Sequence, residues 1–164
     1  MEIGMIELLN QRGVSLDDIV ECVAFLEEGF NKQMPDKLLI LKHVTEILNK
    51  REVQNVVRTG IALDVAAESG VIEDKTLEDL LLRDESLYGV DEVLAYGICN
   101  LYGSIALTNF GYIDRVKPCV IGRLNDAKDG KCHTYLDDII GAIAASAASK
   151  NAHNKIEVEK WKKY

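Results

Sequence analysis

The sequence predicts an all-α protein, and three observations carry that expectation. Only two prolines, Pro35 and Pro118, occur in 164 residues. Strand-like alternation of β-branched residues is nearly absent, while apolar residues recur at helical spacing. No internal repeat or low-complexity linker divides the chain, whose length suits one domain with its own core. Residues 1–164 are therefore expected to form a single compact helical domain.

The elements follow in order. In "SLDDIVECVAFLEEGF", Ser15 takes the N-cap with Asp18 three residues on, close to a capping box. Ile19, Val23, Leu26 and Phe30 then fall on one face. Pro35 suits the first turn of a second helix, where its missing N–H needs no partner. Leu38, Leu41, Val44 and Leu48 supply that helix's stripe. A third helix is expected from near Glu52 to Gly70, with Val53, Val57, Ile61 and Val65 inward. Thr76 and Asp79 are expected to cap a short helix through Leu80 and Leu81.

The run from Val93 to Ile113, "VLAYGICNLYGSIALTNFGYI", carries no formal charge and predicts a long central helix, with Val93–Asn109 as its candidate extent. Its length could span a bilayer. Asn100, Ser104, Thr108, Asn109 and two glycines interrupt it, however, and no comparable second run exists. A buried helix and no transmembrane span is the expectation. "KCHTYLDDIIGAIAASAAS" leads into a further helix, on which Gly141, Ala145 and Ser149 share one face. That stripe fits close packing within the chain or against a second copy, so a homo-oligomer stands among the expectations.

Charge and cysteine usage narrow the function classes. Asp and Glu outnumber Lys and Arg by 27 to 19, for a net charge of -8. Nucleic-acid-binding domains show the reverse balance, so no nucleic-acid partner is expected. Cys22, Cys99, Cys119 and Cys132 form no C-x-x-C pair. "MEIGMIELLNQRG" lacks the basic and long apolar regions of a signal peptide. Reduced thiols in a cytoplasmic protein are the expectation. No Gly-rich loop ending in G-K-S/T is present, which argues against a P-loop nucleotide enzyme.

Three acidic clusters abut apolar helices in the second half: Asp91 and Glu92, Asp114 with Lys117, and Asp137 with Asp138. Charges at a core boundary need cations, hydrogen bonds or water. Helix capping, worth about 0.3–1 kcal/mol at exposed sites, explains any one cluster. Three of them, with Lys117, Arg123 and His133 interleaved, read as a site. An oxygen-rich nest of this kind suits Mg²⁺, which neutralises phosphate oxygens and lowers the pKa of bound water. Lys117 and Arg123 are candidates to bind the substrate phosphate. A carboxylate not engaged by metal could take a proton from water, and His133 is a candidate general acid. Cys132 is set aside as a nucleophile, and Asp84 and Glu85 in "LLLRDESLYG" read as a solvated loop.

"DEVLAYG", "IDRVKPCVIGRLND" and "TYLDDIIGAIAA", in this order, resemble phosphatidylglycerophosphatase A, especially its small soluble relatives in Gram-positive bacteria. The likeness covers about Tyr88 to Ser149. It implies Mg²⁺-dependent hydrolysis of phosphatidylglycerophosphate to phosphatidylglycerol and phosphate. It also implies an all-helical fold in which one central helix is surrounded by the others. The family's acidic motif falls on Asp91 and Glu92, its D-x-x-K-P signature on Asp114, Lys117 and Pro118, and its paired aspartates on Asp137 and Asp138. Those five acidic residues are the implied metal ligands, with Asp138 and Lys117 also catalytic.

Ala95 stands where the membrane-bound branch has glycine, and Val120 where it has a second proline. These departures bear on substrate identity. A soluble phosphate ester, or a non-catalytic helical module, remains an alternative. A lipid substrate places the enzyme peripherally at the cytoplasmic membrane face. "NKIEVEKWKKY" offers Lys155, Lys160, Trp161, Lys162 and Lys163 for that contact, at about 1 kcal/mol per basic residue near an anionic surface. A solvated helix end is the alternative.

Overall fold

The computed structural model describes residues 3–127 and 129–162. Among them are nine helices and no strand: α1 (Met5–Gln11), α2 (Leu16–Gly29), α3 (Lys37–Leu48), α4 (Arg51–Glu68), α5 (Lys75–Leu82), α6 (Val90–Cys99), α7 (Ser104–Val116), α8 (Cys119–Asn125) and α9 (Leu136–Trp161). The all-helical, single-domain expectation holds.

The capping box forms as read, with Ser15 Oγ accepting from Asp18 N and Asp18 Oδ2 accepting from Ser15 N. Ile19, Val23 and Leu26 point into the core, whereas Phe30 ends exposed and stacks on Tyr112. Pro35 lies just before α3 rather than in its first turn, because Asp36 is the N-cap and accepts from Leu39 N. Leu38 is consequently exposed, and Ile40, Val44, Ile47 and Leu48 form the inward stripe. On α4, Val65 is exposed, while Gly60 and Asp64 turn inward beside Val57 and Ile61. Asp74 caps α5, accepting from the amides of Thr76 and Leu77, so Thr76 and Asp79 lie inside that helix.

The central helix is α9, not Val93–Asn109. The charge-free run breaks after Cys99, and Gly103, with φ of 91°, admits the turn into α7. Lack of charge did not mean burial there, since Val93 and Tyr96 are exposed. In α9 every residue from Leu136 to Ser149 is buried. Its alanines and Gly141 let α2, α3, α4, α6, α7 and α8 all approach it. Gly141 faces Phe110 and Ile113 of α7, and Ser149 Oγ donates to Tyr102 O at 3.0 Å. The small-residue stripe is thus spent inside the chain, which removes the observation that had pointed to a subunit seam. Among the described residues no helix is long and apolar enough to cross a membrane.

Gly60 marks the tightest approach of α4 to the start of α9. A Cβ there would overlap Ile139 Cδ1 and press on Tyr135 Cβ at 3.0 Å. Gly60→Ala should therefore cost about 1–3 kcal/mol through overpacking, read as a lower midpoint of urea unfolding. An unchanged midpoint would show that α9 yields freely at this contact.

Candidate active site

Asp137 and Asp138 open α9, yet they are only 2% and 4% exposed. Lys117 ends α7 in the left-handed conformation, φ 53° and ψ 53°, with Pro118 preventing the helix from continuing. α8 backs onto this turn so closely that a Cβ on Gly122 would lie 2.5 Å from Lys117 O. The turn carries the lysine to the start of α9. Its Nζ donates to Asp114 Oδ1 at 2.6 Å, Asp137 Oδ2 at 2.9 Å and Asp138 Oδ1 at 3.3 Å.

The first turn of α6 brings Asp91 and Glu92 to the same place. The α5–α6 connection adds Asp84, Glu85 and Ser86. Together with Asn125 these residues line a pocket of about 310 Å³ that holds seven carboxylates and one ammonium. Burial is the largest influence on the titration of the Asp84, Glu92, Asp137 and Asp138 carboxyls, and the excess of negative charge adds to it. Burial pushes the Asp138 carboxyl well up, and the charge of Asp137 adds to it while Lys117 opposes. Asp137 is raised by burial against the pull of Lys117. Burial also raises Asp84 and Glu92, with Asp91 and Asp114 adding to both shifts. For Lys117, burial opposes the charge, but Asp137, Asp114 and Asp138 outweigh it and hold its pKa above the usual lysine value.

A model of the phosphatidylglycerophosphatase A family matches residues 15–153. The chain belongs to this family. It is 50% identical over 151 residues to the uncharacterized protein YutG of Bacillus subtilis, covering 92% of this chain and 90% of that one. Among solved structures, the low temperature requirement C protein from Listeria monocytogenes is 48% identical, with a TM-score of 0.86 over 92% of this chain and 94% of that one. Protein ypjQ from Bacillus subtilis is 43% identical, with a TM-score of 0.87 over 94% of each chain. Membership implies phosphatase activity and a place in phospholipid metabolism.

In this member, the pocket unites Asp91, Glu92, Asp114, Lys117, Asp137 and Asp138 from three stretches of the chain. The other two residues singled out in the sequence do not line it. Arg123 Nη2 donates to Gly13 O at 2.9 Å and pairs with Asp18 at 3.3 Å, which directs it to the start of α2. His133 lines a neighbouring cavity, with its Nδ1 3.4 Å from Arg12 Nη2. Burial and the Arg12 charge lower its pKa, which disfavours the protonated imidazole a general acid needs. A phosphate clamp at Arg123 and acid catalysis at His133 therefore have no support in this pocket.

Asp84 and Glu85 lie in a loop as read, with Asp84 exposed, and they also form part of the pocket wall. Asp64 was missed. Fully buried on α4, it accepts from the amides of Tyr135 and Leu136, each at 3.0 Å, and so caps the helix that carries the paired aspartates. A carboxylate set among Val57, Gly60 and Ile61 on an inward face was the available signal.

Proposed function

We propose that this chain is a Mg²⁺-dependent phosphomonoesterase that hydrolyses phosphatidylglycerophosphate to phosphatidylglycerol and phosphate. The observation that carries the reading is the convergence of Asp114, Asp137 and Asp138 on Lys117 Nζ, inside a pocket whose other wall is also acidic. Hard oxygen donors in excess of the local positive charge fit a divalent cation. Among the described residues no three His, Cys, Asp or Glu side chains are already drawn together as a metal would draw them. The Lys117 ammonium stands where three carboxylates meet, and Asp84, Asp91 and Glu92 supply further donors along the wall.

Asp91, Glu92, Asp114 and Asp137 would hold Mg²⁺, which when bound neutralises phosphate charge and acidifies water, leaving Asp138 for proton transfer instead of metal binding. Lys117 balances the buried aspartates and offers its ammonium to a phosphate oxygen as a point charge. Asp138, raised by burial and by Asp137, is suited to hold a proton close to the reacting phosphate and pass it to the leaving oxygen.

The surroundings of the mouth favour a lipid over a soluble ester. Leu87, 90% exposed, follows Ser86 of the lining, and exposed Val90, Val93, Tyr96 and Val116 flank Asp91, Glu92 and Lys117. Exposed apolar side chains close in sequence to the lining residues suit a bilayer surface better than bulk water. The C-terminal basic stretch lies elsewhere. Trp161, 80% exposed, follows Asp138 by 23 helical residues, or about 35 Å along α9. Lys163 lies outside the described residues.

The test is phosphate release from phosphatidylglycerophosphate in mixed micelles, with and without Mg²⁺. Wild type and Asp138→Asn are run beside glycerol 3-phosphate as a soluble ester. Metal-dependent lipid turnover, lost in the variant, is expected. Turnover of the soluble ester alone would overturn the lipid assignment, and folded protein inert towards both would overturn the phosphatase reading.

A further inference from the structure

A second cavity, of about 340 Å³, adjoins the acidic pocket and shares Asp84 and Asn125 with it. Its character differs. Lys131, Arg83, His133 and Thr134 stand among its lining residues, and Asp84 is the one acidic side chain there among the described residues. None of the first four takes part in the chemistry of the acidic pocket.

The loop that carries these groups is held in place from several sides. Arg12 forms a two-pronged pair with Glu68, at 2.7 and 2.9 Å. The pair grips the backbone of Cys132, with Arg12 Nη2 donating to its carbonyl at 2.8 Å and Glu68 Oε2 accepting from its amide at 2.7 Å. Thr134 Oγ1 donates to Leu81 O at 2.6 Å. His133 Nδ1 lies 3.4 Å from Arg12 Nη2, whose two protons already serve Glu68 Oε2 and Cys132 O. Arg83 is braced by Asp79 and Glu85. An exposed ammonium, an imidazole and a paired guanidinium thus stand around one cavity beside a loop whose backbone is held, donors of the kind that recognise an oxyanion.

We propose that this cavity is an anion subsite for the substrate's second acidic group, the phosphodiester that joins its glycerol headgroup to the diacylglycerol, while the monoester enters the acidic pocket. The assignment rests on the lipid phosphatase reading above and deepens it. Ligands that carry a phosphodiester beside the monoester gain contacts that phosphatidic acid or glycerol 3-phosphate cannot make. His133 is then a binding residue, and discrimination falls on Lys131 first, since its ammonium has no ion-pair partner among the described residues.

Two arms test this, both on the full chain with Mg²⁺ present. In the first, calorimetry follows binding of glycerophosphoglycerol, which has the diester and no monoester. Wild type and Asp138→Asn should bind it alike, and Lys131→Glu about tenfold more weakly, the scale of one lost charge-assisted contact. No binding to wild type up to about 10 mM, equal binding to Lys131→Glu, or loss in Asp138→Asn would each overturn the subsite. In the second arm, Lys131→Glu should raise KM for phosphatidylglycerophosphate more than for phosphatidic acid, with kcat for the former kept. Equal changes for the two lipids would overturn it. Inactivity of wild type on both lipids counts against the phosphatase reading, and the binding arm still decides the subsite.

Discussion

Replacing Lys117 with methionine should destabilise the fold by about 3–5 kcal/mol, the range for breaking a buried ion pair from one side, and should abolish phosphate release. The ammonium contacts three carboxylates at once, and two of them, on Asp137 and Asp138, are buried. Without it they can lose their charge only by taking up protons. Their pKa values are already raised by burial, so the folded state binds protons more tightly than the unfolded chain. The sign follows: the variant's deficit should grow as pH rises and shrink in acid, where both carboxyls are neutral in either state. Asp138→Asn removes negative charge instead of positive and should cost far less. The double variant should therefore recover part of what Lys117→Met loses. Urea unfolding at about pH 5.5 and about pH 8 checks this. Equal midpoints for wild type and Lys117→Met at the higher pH would show that Lys117 does not compensate the aspartates.

The residues of this cluster were legible because each motif is local. Asp114 and Lys117 are three apart on one helix, and Asp137 and Asp138 are adjacent. What brings them together is not local. Lys117 reaches α9 only because α7 ends in a left-handed residue, a conformation that pattern reading does not assign to lysine. Asp84 likewise lies in a polar stretch whose composition suits a solvated loop, and its place on the pocket wall depends on how α5 and α6 sit against α9. The central helix was misread for a related reason. Absence of charge marked α6 and α7 as apolar, but burial on all sides requires small side chains as well, and those lie in α9. Its alanines admit six neighbouring helices, whereas Val93 and Tyr96 leave one face of α6 outside.

Asp64 offers the second large effect, because α9 begins without a cap of its own. Tyr135 takes the N-cap position and makes no side-chain cap bond, so the amides of Tyr135 and Leu136 depend on the Asp64 carboxylate. Asp64→Ala orphans both donors in the interior. At about 1–3 kcal/mol for each unsatisfied group, the expected loss is roughly 2–5 kcal/mol, read from urea unfolding. Asp64→Asn keeps one acceptor oxygen and turns an N–H towards the other amide, so its loss should be intermediate. A pH signature separates this role from simple packing. Burial pushes the Asp64 carboxyl up to about 7, although the two amide bonds favour its charged form. An unfolded aspartate titrates near about 4. Between those values the folded chain holds the extra proton, so stability from this group is greatest in acid and falls as pH rises through that window. The Asn variant should lose that part of the slope while retaining most of the fold. Asp137 and Asp138 follow directly on the capped turn, so loosening it should lower kcat before it unfolds the chain. Unaltered kcat in Asp64→Asn, together with an unaltered pH slope, would reduce Asp64 to a packing residue with no part in positioning the paired aspartates.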